Sequence, residues 1–158
     1  MKITIVAVGQ RQPAWAQSAV DDYLGRFPAD FKVEIKEVKA EARSGKGNEP
    51  VQRLLAAEAA RIRAASPADG LVVALDERGA DWTTRQLATT LGRWRDDGAH
   101  PVFVIGGPDG LDAGIKQGAR AQVRLSSMTL PHALARVLLA EQIYRAWSML
   151  AHHPYHRA

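Results

Sequence analysis

Apolar positions along the chain alternate between strand-like runs and helix-like spacings. Lys2 to Val8 (KITIVAV) is a β-branched run closed by Gly9, the pattern of a largely buried strand. After Pro13, a helix carries Trp15, Ala19, Val20, Tyr23 and Leu24 until Phe27-Pro28 stops it. Phe31 to Val38 alternates apolar and charged residues, which predicts a strand with one wet face near a sheet edge. Lys39 to Asn48 is polar, basic and glycine-punctuated, a mobile loop. Asn48 is placed to cap the next helix, with Glu49 and Pro50 in its first turn and Val51, Leu54, Leu55 and Ile62 as its buried stripe.

Gly70 to Leu75 (GLVVAL) predicts a third strand closed by Asp76. Thr83 and Gln86 have the spacing of a capping box, followed by Leu87, Leu91 and Trp94 on one helical face up to Gly98. Pro101 to Ile105 is a fourth strand running into Gly106-Gly107-Pro108-Asp109-Gly110. A short helix over residues 113–119 leads to a fifth strand, Val123 to Ser126, and a last helix runs from His132 to Leu150. Strands alternating with helices predict one α/β domain, residues 1–158: a mainly parallel sheet with helices on both faces.

Composition narrows the chemistry. With 46% hydrophobic and 24% charged residues the chain is ordinary for a globular fold. No apolar run is long enough to span a bilayer. The N-terminus is too short and too weakly basic for a secretory signal, which favours the cytoplasm. The absence of cysteine excludes disulfides, thiolate nucleophiles and cysteine-based metal sites. A net charge of +4 suits a polyanionic partner. The basic character gathers in the loop from Lys39 to Lys46 and in the tail, where His152, His153 and His156 stand beside Arg157.

Ligands of open parallel sheets bind outside the carboxyl ends of the strands. Three ends combine turn-forming residues with a strand terminus: Leu75-Asp76, Ile105-Gly106-Gly107 and Leu125 to His132. Backbone groups freed there suit an adenine edge or a ribose. The GGPDG turn is not G-x-G-x-x-G, no phosphate-binding P-loop occurs, and Pro108 removes a donor, so a phosphate cradle is disfavoured. The Gly106-Gly107 pair is either a plain strand-to-helix turn or a place where a ligand approaches the backbone.

The tail His152-His153-Pro154-Tyr155-His156 lacks the glutamate of a zinc-binding helix, and Pro154 argues against the helix itself. It is either a basic, aromatic surface for RNA, with Tyr155 stacking on a base while His156 and Arg157 meet phosphate, or a disordered polar terminus. The last helix is apolar nearly all round, with Glu141, Arg145 and Ser148 on one narrow stripe and Arg136 and Gln142 apart from it. Such a helix is covered on more than one side, by a second subunit or by the rest of a monomer. Glu141 and Arg145 are either a simple helix pair or a buried polar feature of that interface. Trp15, Trp82, Trp94 and Trp147 are expected as core or interface anchors. Asp21-Asp22 and Asp96-Asp97 are expected on solvated helix faces.

Taken in order, Ile105 to Leu111 (IGGPDGL), Leu125 to His132 (LSSMTLPH), Arg136 to Trp147 (RVLLAEQIYRAW) and His153 to Arg157 (HPYHR) resemble the ribosomal RNA large subunit methyltransferase H family. The opening Val6 to Gly9, Tyr23 with Arg26-Phe27-Pro28, and Leu75-Asp76 fit as well, so the resemblance covers essentially the whole chain. It implies the SPOUT or α/β-knot fold, with a C-terminal trefoil knot that pattern reasoning would not have proposed. It implies a homodimer with the last helix in its interface, no metal, and S-adenosyl-L-methionine as methyl donor. The implied acceptor is N3 of pseudouridine 1915 in 23S rRNA, in a large-subunit RNA within the assembled ribosome.

By the same resemblance, Leu75, Gly106, Leu125, Ser126, Ser127, Met128, Thr129 and Leu130 hold the donor. These lie at the strand ends picked out independently above. Candidates for assisting loss of the N3 proton are His132, Arg145, Tyr155, His156 and Arg157, reaching the site of the other subunit; no single general base is assigned. Gly106→Val is expected to block the donor while sparing the fold. Deleting residues 155–158 is expected to spare donor binding and abolish RNA methylation. The competing readings are a non-catalytic RNA- or ribosome-binding protein on the same scaffold and a metal-dependent hydrolase.

Overall fold

A computed structural model describes residues 1–43 and 50–157. The strands are β1 (Lys2–Val8), β2 (Lys32–Val38), β3 (Gly70–Asp81), β4 (His100–Ile105) and β5 (Ala121–Arg124). The helices are α1 (Ala14–Leu24), α2 (Val51–Ala65), α3 (Thr84–Asp96), α4 (Ala113–Gly118) and α5 (His132–Leu150), followed by a 3-10 turn over Pro154–Arg157. The sheet order is β2-β1-β4-β3-β5 and every pairing is parallel, as the alternation of elements predicts.

Period-two alternation divides each central strand between two apolar layers. Ile3, Ile5, Ala7, Val73, Phe103 and Ile105 face α3 and α5. Val6, Val8, Ala74, Val102 and Val104 face the other way, toward Ala59 and Ile62 of α2 and Ile115 of α4. Helix α1 packs mainly on α5. β2 is an edge strand with Lys32, Lys36 and Glu37 exposed, as its alternating charges predict.

Local signals hold where they are strongest. Thr83 Oγ1 accepts from Gln86 N–H while Gln86 Oε1 accepts from Thr83 N–H, completing the capping box. The ranges of β1 and α5 match the sequence expectation. Both aspartate pairs are exposed. Asn48 and Glu49, and the basic loop beyond Arg43, lie outside the described residues; the N-cap position of α2 is Pro50.

Several expectations are corrected. β3 does not close at Asp76 but resumes to Asp81: Leu75 and Ala80 both pair with Val123, so residues 76–79 are looped out of the ladder. Asp76, Glu77 and Arg78 line a cleft there, and Gly79 lies close against the Val123 backbone. β5 ends at Arg124, two residues early, because β3 supplies no partner beyond Asp81 and β5 is itself an edge. Leu125 and Ser126 therefore belong to a loop. Val51 is exposed, and Glu58 and Ala59 occupy the buried stripe of α2 instead. Trp94 is buried and Trp82 and Trp147 half-buried; Trp15 is 56% exposed on α1, which removes it from the core and leaves the interface alternative. Arg136 and Ser148 of α5, expected among its polar positions, are buried. Among the described residues no helix is long and apolar enough to cross a membrane.

Candidate functional site

The ends of β3, β4 and β5 converge on one cleft of about 440 Å³, within the usual range for small-molecule sites. Its floor is apolar, from Leu75, Ile105, Leu111, Leu125 and Leu130. Its rim is polar, from Asp76, Glu77, Arg78, Lys116, Arg124 and His132. The three strand ends singled out in the sequence thus form a single site. Leu75, Gly106, Leu125, Ser126, Met128, Thr129 and Leu130 line it; Ser127, between two lining residues, is exposed. Met128 is the most open of the large apolar side chains, at 77% exposure.

The glycine turn is closed by its own backbone. Gly110 N–H donates to Gly107 O at 3.0 Å. A β-carbon on Gly106 would stand 2.5 Å from Gly110 O, so the absence of a side chain there lets the turn fold back on itself. Glycine at 106 thus serves the turn's own closure while also bordering the cleft. The close contact corrects the expectation for Gly106→Val: the substitution would strike the protein's own backbone, and the fold would not be spared.

Under the turn lies a charge network that periodicity did not reveal. Glu58 of α2 is 2% exposed. Its Oε2 accepts from Glu41 N–H at 2.9 Å and from Arg43 Nη1 at 3.2 Å. Arg43 Nε donates to Asp109 Oδ2 of the glycine turn at 2.8 Å. The Arg43 guanidinium is held even more firmly protonated than usual, first by the bond to Asp109 and then by Glu58. The readable signal was an acidic residue on the apolar stripe of α2, four positions before Ile62 and four after Leu54.

Two further pairs brace the rim. Arg124 grips Asp81 through Nε at 2.5 Å and Nη2 at 2.8 Å, lowering the aspartate's affinity for a proton. Lys116 Nζ stands 4.0 Å from Asp76 Oδ2. Among the described residues no group of three or more His, Asp or Glu side chains is arranged to hold a metal ion.

Of the proton-handling candidates, only His132 lines the cleft. Arg145 lies thirteen residues farther along α5, about 20 Å at helical rise. There it joins a separate aromatic cluster. Arg145 Nε donates to Glu141 Oε1 at 2.8 Å, and its guanidinium stands 4.9 Å from the centre of the Tyr155 ring. The Tyr155 hydroxyl is 3.1 Å from Glu141 Oε1 and 3.2 Å from the Tyr23 hydroxyl, and its ring meets Tyr144 at 4.7 Å. Burial, then the bond to Tyr23 and the charge of Glu141, hold the Tyr155 hydroxyl protonated well above the usual tyrosine range. The tail is therefore not a loose terminus: Pro154–Arg157 folds against α5, with His156 half-buried and Arg157 exposed. Glu141 and Arg145 are more than a solvent-facing helix pair, since both are largely covered.

Comparison with known proteins agrees over the full chain. Residues 1–156 match the family model described as predicted SPOUT methyltransferase. The chain is 54% identical over 158 residues to the ribosomal RNA large subunit methyltransferase H of Bordetella petrii, covering 100% of both chains. It is 56% identical over 157 residues to the protein of that name from Polaromonas naphthalenivorans, covering 99% of each. The fold is similar to that of a methylase family protein from Neisseria gonorrhoeae, with TM-score 0.54, 18% identity, and coverage of 96% of this chain and 93% of that one. It is also similar to a methylase family protein from Haemophilus influenzae, with TM-score 0.58, 15% identity, and coverage of 97% and 69%.

Proposed function

The chain belongs to the SPOUT methyltransferase family, as one of its ribosomal RNA large subunit methyltransferase H members, and from that premise we propose that it methylates N3 of a pseudouridine in 23S rRNA with S-adenosyl-L-methionine as donor. The observation that carries the reading is the convergence of three strand ends on one cleft, at residues the sequence had singled out for an adenosyl group.

The cleft's chemistry fits that group. Its apolar floor suits an adenine ring, and the backbone at the ends of β3 and β4 offers hydrogen bonds without charge. Asp76 on the rim can accept from ribose hydroxyls or an ammonium. Bound there, the donor would supply a methyl group on an electrophilic sulfonium. The chain's own contribution is positional: Leu75, Gly106 and the loop from Leu125 to Leu130 orient the donor and exclude water from it. The acceptor N3–H must lose its proton before nitrogen attacks. Cationic or hydrogen-bonding groups at the carbonyls flanking it favour the anion.

His132 stands at this cleft. Arg145 sits too far along α5 to serve the same cleft in one protomer, Tyr155 packs beside it, and His156 and Arg157 follow in the 3-10 turn; in a homodimer all four would face the partner's cleft. In support, Leu134, Val137, Leu138 and Met149 of α5 remain only half-covered within one chain. The reading includes a cytoplasmic location, the assembled ribosome as the source of the acceptor, and threading of the C-terminal segment as a trefoil. In support of the last, β5 lies at one edge of the sheet while α5 returns to the carboxyl end of β1.

Mass spectrometry of rRNA from a strain lacking the gene tests the reading: one methylated pseudouridine should vanish and return with the wild-type copy. An unchanged modification profile rejects it. A thermal shift with S-adenosyl-L-methionine separates an enzyme from a non-catalytic RNA binder, since at a hundredfold excess over Kd a bound ligand adds about 2.7 kcal/mol of stability.

A further inference from the structure

Arg136 is the one charged residue of α5 that is fully buried, with 3% of its surface exposed. Its Nη2 donates to Gly9 O at 2.6 Å and to Val8 O at 3.2 Å, and its Nη1 donates to Glu37 Oε2 at 2.5 Å. A single guanidinium thus ties α5 to the carboxyl end of β1 and to the edge strand β2. Gly9, at φ +114°, is shaped for this contact: a β-carbon there would lie 3.3 Å from Nη2. The arrangement carries a cost, because Nε is buried without a partner.

Its place in the chain gives that cost a purpose. Arg136 follows Ala135, which lines the cleft, and stands one turn after His132, which also lines it. The cleft loop, residues 125–131, is pinned at one end by β5 and the Arg124–Asp81 pair. At its other end, α5 begins at Pro131 with no side-chain cap hydrogen bond. The first turn of α5 therefore has no side-chain cap, and Arg136, one turn on, ties it to the opposite part of the sheet. A buried ion pair is seldom more stabilising than apolar residues of equal volume, which points to a role in geometry rather than in stability.

We propose that Arg136, held by Glu37 and the Val8 and Gly9 carbonyls, is a positioning residue that sets the conformation of the 125–131 loop for binding the methyl donor. The inference rests on the donor reading of the cleft given above. Arg136 does not line the cleft, so it acts through the helix and the loop.

The test uses the full-length chain as wild type, Arg136→Lys, Arg136→Met and Glu37→Gln. S-adenosyl-L-methionine affinity is measured by calorimetry, and amide hydrogen exchange is followed in the 125–131 loop and in β1 and β4. Arg136→Met should weaken donor binding about tenfold or more, because a loop that holds its binding-competent conformation for about a tenth of the time binds with an affinity reduced by that fraction. Arg136→Lys, which keeps charge without the fork, and Glu37→Gln should fall between it and wild type. Exchange should quicken in the loop and, in β1, only at the carboxyl end where Arg136 bonds, while β4 stays unchanged, and turnover should show a raised KM for the donor with kcat largely kept. If Arg136→Met does not fold, the two milder variants decide. Wild-type affinity in folded variants, even with lowered Tm, overturns the positioning role. A wild-type chain that binds no donor instead overturns the reading of the cleft, and this inference with it.

Discussion

Gly106 and Gly110 approach so closely that a β-carbon on the first would stand 2.5 Å from the carbonyl oxygen of the second. The turn that walls the cleft is consequently built on self-contact, and glycine at 106 serves its closure.

Gly106→Ala should therefore lower stability as well as donor affinity. Overpacking of this kind costs about 1–3 kcal/mol, and each kcal/mol moves Tm by roughly 2–4 °C in a domain of this size. Calorimetric unfolding beside a binding titration checks this. Full donor loss with an unmoved Tm would restore the view that Gly106 only makes room for the ligand.

Glu58→Ala should destabilise the fold by roughly 3 kcal/mol, since it strips a buried ion pair of one member and frees the Glu41 N–H. A urea unfolding midpoint equal to that of wild type would show that the carboxylate does not hold Arg43. Arg43→Met should cost at least as much, because it strands the Glu58 carboxylate, 2% exposed, without its cation, whereas Arg43 still has Asp109 when Glu58 is removed.

Tyr155→Phe should change the alkaline limb of stability. Folding raises the pKa of this hydroxyl above its ordinary value near 10. Its contribution is thus complete below about pH 10 and is lost as pH climbs toward the folded-state value. The wild type should lose stability above about pH 10 more steeply than the variant. Parallel curves of Tm against pH would contradict the assigned shift.

Removal of residues 156–158 should leave donor affinity and Tm near wild type while rRNA methylation falls sharply, because Tyr155 and its contacts with Glu141 and Tyr23 remain. Removal of Tyr155 as well should lower Tm, because its hydroxyl contacts with Glu141 and Tyr23 are lost. Single-turnover methylation of ribosomes by the shorter truncation provides the measurement; normal turnover would exclude the tail from acceptor recognition.

The chain's order of apolar runs was sufficient to mark β1, the capping box at Thr83 and the span of α5, because these features arise from neighbours a few positions apart. It also marked the loops that line the cleft, since in a parallel sheet the carboxyl ends of strands share one side. Extents were harder: β3 resumes after its looped-out residues 76–79, and β5 stops early, because a strand lasts only as long as its ladder partner. Burial of charge was beyond local pattern altogether. Arg136 looks like a polar position on a helix until Val8, Gly9 and Glu37, roughly a hundred or more residues away, surround it. Glu58 depends likewise on Arg43 and Glu41. Separation of His132 from Arg145 and Tyr155 is a matter of helix length and of where the tail folds back. Periodicity reports which face of an element is apolar; only the packed fold supplies the distant carbonyls and carboxylates that make a buried guanidinium tolerable.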